Sequence, residues 1–249
     1  MKRVAVVTGA SSGIGEATAR LLSQEGWRVL LVARRADRLE TVADELRNAA
    51  FVAADLTAAD APERVREAAE REGALQLLVN NAGASWRASF ADGGYENLRR
   101  TMDINFDAPA RLTEKLLPLL RSSAPSAIVN VGSVAGRIGR PQVSAYAASK
   151  FAIAGWTEAL ALEEAEHGVH VGLVMPGFVA TEGFPQTGIA GSRLTRWMLS
   201  SPEKVAQAIL DAGPGGKHEL YVPRPYGLVP RLRFLFPGLT RRVVRGGRF

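Results

Sequence analysis

Cysteine is absent from all 249 residues. That excludes disulfides and thiolate metal sites and is compatible with a reducing compartment. Histidine is nearly as scarce: His167, His170 and His218 are the whole supply, too few for a histidine-rich metal site. No uncharged apolar run approaches the length that spans a bilayer. Met1-Lys2-Arg3 before Val4–Val7 has the charge order of a secretion signal, but the apolar stretch is too short and runs straight into glycines, so it reads as a first strand. The cytoplasm is the default location. Acidic residues are thin only at one end. From Lys217 onward there are eight Lys/Arg against Glu219 alone, while the whole chain carries +6. The basic character therefore belongs to the tail, and with no recognisable module it does not make the protein a nucleic-acid binder.

What is present is a rhythm. At 47% hydrophobic the chain can bury a full core, and its length fits one α/β domain. Short apolar runs at Val4–Val7, Arg28–Val32, Phe51–Ala54, Leu75–Val79, Ala127–Val131, Val169–Met175 and Leu220–Val222 alternate with helical periodicity. The helices are read at Gly13–Glu25, Asp37–Arg47, Pro62–Arg71, about Tyr95–Arg121 (bent near Pro109), Ser144–His167 and Pro202–Asp211. Strands that are apolar throughout and separated by helices predict a parallel sheet covered on both faces, a single-domain doubly wound, Rossmann-like α/β fold. Residues 1–224 are read as that domain, with a substrate loop over 177–201, and residues 225–249 as an extension.

Thr8-Gly9-Ala10-Ser11-Ser12-Gly13-Ile14-Gly15 lies between the first strand and first helix. Glycines there permit a tight turn and close approach of a pyrophosphate, and the helix N-terminus presents unpaired N–H groups. A glycine triad alone is a weak signal; one directly after the first strand of a βαβ unit is much stronger. Gly9 to Gly13 also fits G-x-S-x-G, the nucleophile elbow of serine hydrolases, but several hydrolase strands precede such an elbow and the histidines here sit in ordinary places. Arg34 and Arg35 follow the second strand, where a guanidinium accommodates a ribose 2′-phosphate and an acid would bind a 2′-hydroxyl. This favours NADP over NAD. Asp55 follows the third strand and is placed to accept from an adenine amino group. Asn80-Asn81-Ala82-Gly83 follow the fourth, putting two amides and a turn on the adenosine side.

Tyr146 and Lys150 are four residues apart in a helical stretch, hence on one face. A nearby ammonium stabilises a phenolate and lowers a tyrosine pKa from about 10, and bringing it to neutrality takes about three units. Ser133 ends the fifth strand, the edge where ligands bind in such sheets, with a hydroxyl able to polarise a carbonyl.

These residues together resemble the short-chain dehydrogenase/reductase family in its form of about this length. The resemblance runs from Lys2 to about Val222 and rests on T-G-A-S-S-G-I-G at 8–15, Asp55, N-N-A-G at 80–83, Asn105, Ser133, Y-A-A-S-K at 146–150 and P-G-F-V-A-T at 176–181. It implies a catalytic set of Asn105, Ser133, Tyr146 and Lys150. Asn105 would hold a helix bend and a water linking Lys150 to solvent; Lys150 would also bind the nicotinamide ribose. It implies cofactor contacts from Pro176, Gly177 and Thr181, extended by Ile14, Leu56, Ala82 and Val179. The implied activity is hydride transfer between NADPH and a carbonyl/alcohol pair. A nucleotide-sensing protein without useful turnover is the rival from another class.

Substrate choice is expected from Trp86, Phe90, Phe178, Phe184, Trp197, Met198 and Leu199, with Arg193 and Arg196 as hints of an acidic group. A lipophilic ketone or alcohol suits such a pocket; a lid packed only for its own stability is the plain alternative. Phe151, Ile153, Trp156, Leu160 and Leu162 spread around one helix, so it is buried on more than one side, and the resemblance implies helix pairing in a homodimer or homotetramer. The arginine- and leucine-rich tail could roof the pocket, pack on a neighbour or lie on an anionic membrane surface. Pro230 and Pro237 are expected to interrupt it.

Overall fold

The computed structural model describes residues 3–179 and 199–246. Within them one sheet is formed by β1 (Arg3–Thr8), β2 (Arg28–Ala33), β3 (Ala49–Ala53), β4 (Ala74–Asn80), β5 (Ser126–Val131), β6 (Val169–Pro176) and β9 (Glu219–Val222). A separate two-residue ribbon pairs β7 (Phe178–Val179) with β8 (Leu199–Ser200). The main sheet runs β3-β2-β1-β4-β5-β6-β9, and every neighbouring pair is parallel.

The pleat explains why these strands read as unbroken apolar runs. Ala5, Val7, Val29, Leu31 and Val79 face α1 (Gly13–Gln24), α2 (Ala36–Glu45) and α7 (Pro202–Ala212), packing with Leu22, Leu39 and Ile209. Val4, Val6, Leu30, Val32 and Leu78 face the other way. They pack with Val65 of α3 (Ala61–Glu72), Leu112 and Leu116 of α5 (Ala108–Ser122) and Leu160 of α6 (Ser144–Glu164). Alternate residues point to opposite faces and both faces are covered. Each large side chain so buried contributes about 1.5–3 kcal/mol, and a one-residue slip would exchange the two sets. Glu164, buried at the end of α6, takes a two-pronged hydrogen bond from Arg121 of α5 at 2.7 and 2.8 Å, which ties these helices together.

The long helical stretch differs from expectation at its start. It begins at Phe90, not near Tyr95, because Ser89 caps it by accepting from Asp92 N at 3.2 Å. Gly94, at φ 55°, breaks α4 (Phe90–Met102) internally. The bend is a π-helical turn at Asp103–Asp107, ahead of Pro109. That proline follows at once in α5, within a continuous helical run, where it lacks the N–H that would carry the regular ladder on from the π-turn. The tail forms α8 (Leu228–Leu235) and α9 (Pro237–Gly246). Pro230 lies in the first turn of α8 and interrupts nothing, whereas Pro237 begins α9 after non-helical Phe236 and divides the tail into two helices, as expected.

From β1 the chain winds outward through β2 and β3, then returns to place β4 on the other side of β1. The helices that follow β1 and β4 pack on opposite faces of the sheet, and a crevice opens at the C-terminal ends of the strands, the place where such sheets bind ligands.

Candidate active site

The turn after β1 is built on backbone that other residues adopt poorly. Gly9 and Gly13 have φ of 68° and 60°. The helix start lies so close to the turn that a Cβ on Gly15 would stand 2.2 Å from the Gly9 carbonyl oxygen. Ser12, the residue before α1, makes no side-chain cap, which leaves the first N–H groups of the helix open to an anion. Arg35 reaches across from β2 and donates to Ser11 Oγ at 3.2 Å and Ser12 Oγ at 3.0 Å.

Thr8 locks this turn to the one after β4. Its hydroxyl donates to Val79 O at 3.1 Å and accepts from Asn81 N at 2.9 Å and Ala82 N at 3.0 Å, while Asn81 Nδ2 donates to Thr8 O at 2.9 Å. The two amides expected to act together therefore part company. Asn81 holds the crevice, whereas Asn80 turns inward and donates to Thr113 Oγ1 at 3.0 Å and Asn130 Oδ1 at 2.9 Å. An asparagine pair in sequence does not reveal this, because adjacent strand residues face opposite sides.

A cavity of about 600 Å³ runs along the strand ends. Gly9, Ser11, Ser12, Gly13 and Ile14 form one stretch of wall, Arg34, Arg35, Asp55 and Leu56 another, and Asn81, Ala82 and Gly83 the middle. Ser133, Tyr146, Lys150, Pro176, Gly177 and Val179 close the far end. Of the residues expected to touch a dinucleotide, Gly15 works from behind the wall, and Thr181 lies outside the described residues. Asp55 Oδ1 accepts from Thr57 N and Oγ1 at 3.0 and 2.8 Å, which with the nearby Arg34 charge holds the carboxyl below its usual range. An elongated crevice with open helix N–H groups, two arginines and an ionised carboxylate fits a phosphorylated dinucleotide.

At the far end Ser133 follows β5 and accepts from Ala135 N at 3.2 Å. It shares a hydrogen bond with Tyr146. Lys150 is 5% exposed. Its Nζ donates to Val131 O at 2.8 Å and lies 5.7 Å from the centre of the Tyr146 ring. The two side chains thus share a helix face, as their spacing requires. Burial pushes the Tyr146 phenol above its ordinary range, with Ser133 and the charge of Arg140 pulling the other way. Burial also lowers Lys150 to about 8. Desolvation is thus the larger influence on the phenol, ahead of the Ser133 hydrogen bond and the Arg140 charge.

Asn105 sits in the π-helical turn, buried, and acts on the scaffold. It donates to Ala84 O at 2.9 Å and to Ser149 Oγ at 3.0 Å, and accepts from Ala84 N at 2.9 Å. Ser149 in turn donates to Tyr146 O at 2.8 Å. Asn105 therefore connects the turn after β4 to the start of α6, and Ser149 is the link that sequence reading missed.

A second cavity, about 620 Å³ and mainly apolar, meets the first at Ser133, Tyr146 and Gly177. Phe178 lines it; Trp86 instead lines the first cavity. Phe90 and Leu199 line neither, Phe90 being exposed at the start of α4. Phe184, Trp197, Met198, Arg193 and Arg196 lie outside the described residues. The tail supplies the roof through Val229, Leu232, Phe236, Leu239 and Val243. Arg233 anchors it by donating to Arg137 O at 2.6 Å. Tyr226 is buried against Gly177, where a Cβ would meet its ring at 2.2 Å. Among the described residues no cluster of acidic or histidine side chains could hold a metal ion, and no helix is long and apolar enough to cross a membrane.

The family model of the short chain dehydrogenases matches residues 3–188. An uncharacterised oxidoreductase of Bacillus subtilis is 36% identical over 256 residues, covering 97% of this chain and 71% of its own. A cyclohexanol dehydrogenase of Acinetobacter sp. is 34% identical over 215 residues, 83% of this chain and 86% of its own. Among solved structures, that of an actinorhodin polyketide ketoreductase with NADPH superposes with a TM-score of 0.81 at 30% identity, covering 91% of this chain and 97% of that one.

Proposed function

The chain belongs to the short chain dehydrogenase family of oxidoreductases, and from that premise we propose that it is an NADPH-preferring carbonyl reductase or alcohol dehydrogenase. Its substrate is a lipophilic ketone or secondary alcohol, and Tyr146 is the proton donor or acceptor. The observation that carries this reading is the meeting of Ser133 and Tyr146 at the junction of a polar, dinucleotide-shaped crevice and an apolar chamber. The resemblance to a cyclohexanol dehydrogenase and a ketoreductase supports the same chemistry.

A nicotinamide cofactor held along the crevice by the Gly9–Ile14 turn, Arg34, Arg35 and Asp55 would supply the hydride. Ser133 and Tyr146 hold the substrate oxygen and polarise it. Burial keeps the phenol protonated at neutral pH, the state a general acid needs as charge builds on the oxygen. Lys150, fixed by Val131 O, is positioned to hold the adjacent ribose. Asn105 and Ser149 keep the start of α6 in register with the turn after β4. The apolar lining of the second cavity suits the lipophilic part of the substrate.

The test is a screen of aromatic and aliphatic ketones with NADPH, read by loss of reduced-cofactor absorbance. Tight NADPH binding with no oxidation by any carbonyl would favour the nucleotide-sensing rival. Arg34→Ala is expected to weaken NADPH binding by about 10–100-fold, the loss of a charge-assisted hydrogen bond of about 1.5–3 kcal/mol, with NADH little changed. Titration calorimetry checks it, and an unchanged ratio would remove Arg34 from the 2′-phosphate site.

A membrane-peripheral lipid or 3-oxoacyl reductase is a second reading, favoured by the outer side of the tail. Phe234 is 86% exposed and Leu235 64%, beside exposed Arg231, Arg241, Arg242 and Arg245. Such a surface suits an anionic bilayer. Full-length protein is expected to float with phosphatidylglycerol vesicles, and Phe234→Glu/Leu235→Glu to remain below while still reducing a soluble ketone. Equal flotation of both proteins would dismiss the anchor. A homodimer or homotetramer is also part of the proposal, using the side of α6 that leaves Leu162 79% exposed.

A further inference from the structure

Two cations line the apolar chamber without an acidic partner among the described residues. Arg87 and Arg140 both line it, on the loops after β4 and β5. Arg140 is half-buried, with its guanidinium 5.2 Å from the centre of the Phe178 ring. Its charge is felt by Tyr146 and Tyr226, and Arg87 acts on it as a like charge. Among the described residues neither arginine forms a salt bridge; the ion pairs engage other arginines, such as Arg121 with Glu164 and Arg137 with Glu219. Arg140, half-buried, loses part of its hydration to stand in a largely apolar space beside a second, exposed guanidinium of like charge. A planar guanidinium is also the side chain best shaped to hold a carboxylate or phosphate.

We propose that the substrate is an anionic amphiphile. Its carbonyl lies at Ser133 and Tyr146, its carboxylate or phosphate sits against Arg140 and Arg87, and its apolar chain runs beneath α8 and α9. This names the substrate class of the reductase reading and rests on it. The chamber, about 620 Å³, is in the range that takes a ligand of drug size. Arg140 thereby selects substrates, and its neighbourhood to Tyr146 places the anion on the reacting side of the chamber and not at the tail's outer surface.

Two measurements test this on the NADPH-loaded full-length enzyme. Calorimetry with dodecanoate, dodecyl phosphate and dodecanol reads the anion site without turnover and distinguishes carboxylate from phosphate. At least one anion is expected to bind about tenfold or more tighter than dodecanol, a difference of about 1.4 kcal/mol. Arg140→Gln and Arg87→Gln should each remove most of that advantage while dodecanol affinity holds within about twofold. Dodecanol binding as tightly as both anions, or anion binding indifferent to both substitutions, overturns the proposal. Should Arg140→Gln fail to fold by thermal melting, Arg87→Gln, on an exposed side chain, still decides.

The second measurement compares 4-oxododecanoate with its methyl ester. The wild type is expected to prefer the acid in kcat/KM by about tenfold or more, and the arginine substitutions to erase that preference. A parallel loss on acid and ester would mean that Arg140 acts only on Tyr146, which sinks the substrate assignment. If neither ketone is reduced but anion binding stays arginine-dependent, the anion site stands and the reductase reading falls.

Discussion

Tyr146→Phe is expected to lower kcat/KM for ketone reduction by about 10²–10⁴-fold, the range that a positioned general acid contributes, while NADPH affinity stays within about twofold. The substitution removes one hydroxyl and keeps the ring. Packing beside Lys150 survives, and the Ser133 hydroxyl remains to hold the substrate oxygen weakly. What is lost is the proton. Because burial raises the phenol's pKa, the wild-type enzyme carries that proton at neutral pH and favours reduction there. Alcohol oxidation needs the deprotonated phenol and should rise with pH through the alkaline range. The variant should show neither this rise nor appreciable reduction. Steady-state rates in both directions across pH check the prediction; equal turnover by the variant would take Tyr146 out of the mechanism.

Gly15→Ala is expected to be nearly as severe by another route. The added methyl would stand 2.2 Å from the Gly9 carbonyl oxygen and 2.7 Å from Asn81 Nδ2. The first of these is backbone and cannot swing aside. The turn must shift, and with it the Thr8–Asn81 bonds that join the β1 and β4 loops. Overpacking of this kind costs about 1–3 kcal/mol of stability. Misaligned helix N–H groups should weaken NADPH binding by about 100-fold, equivalent to about 2.7 kcal/mol. Gly155→Ala is the control. It has nothing within 4 Å of the new methyl in the single chain and shares the side of α6 that carries Leu162, so it should leave the cofactor untouched, and any change in melting temperature reads helix pairing between subunits. Thermal melts and calorimetry on both variants separate the effects. A Gly15→Ala protein with normal melting temperature and normal affinity would show that close approach is not what this glycine provides.

Legibility followed the range of the forces involved. The parallel sheet and its helices were readable because strands buried on both faces must be apolar throughout, a property written locally in Val4–Val7 and Leu75–Val79. The turn at Gly9–Gly15 and the Tyr146/Lys150 pair were readable because each depends on fixed short spacings. The bend expected near Pro109, and at Asn105 from the resemblance, is the π-helical turn Asp103–Asp107 that contains Asn105; its type leaves no local mark in the sequence.

Residues far apart in sequence were decided only by folding. Asn80 and Asn81 look equivalent until the pleat sends one inward and the other to the crevice. Gly177 looks like a loop glycine until Tyr226, from the tail, fills the space its side chain would need. Arg140 looks like a surface charge until α8 and α9 cover the chamber in which it stands. The amino-acid order alone determined the layered architecture and the chemistry of the crevice, because periodicity and short spacings act within a few residues. The tertiary structure alone decided the chamber, its roof and its two cations, because burial and the electrostatic environment are set by what arrives from elsewhere in the chain.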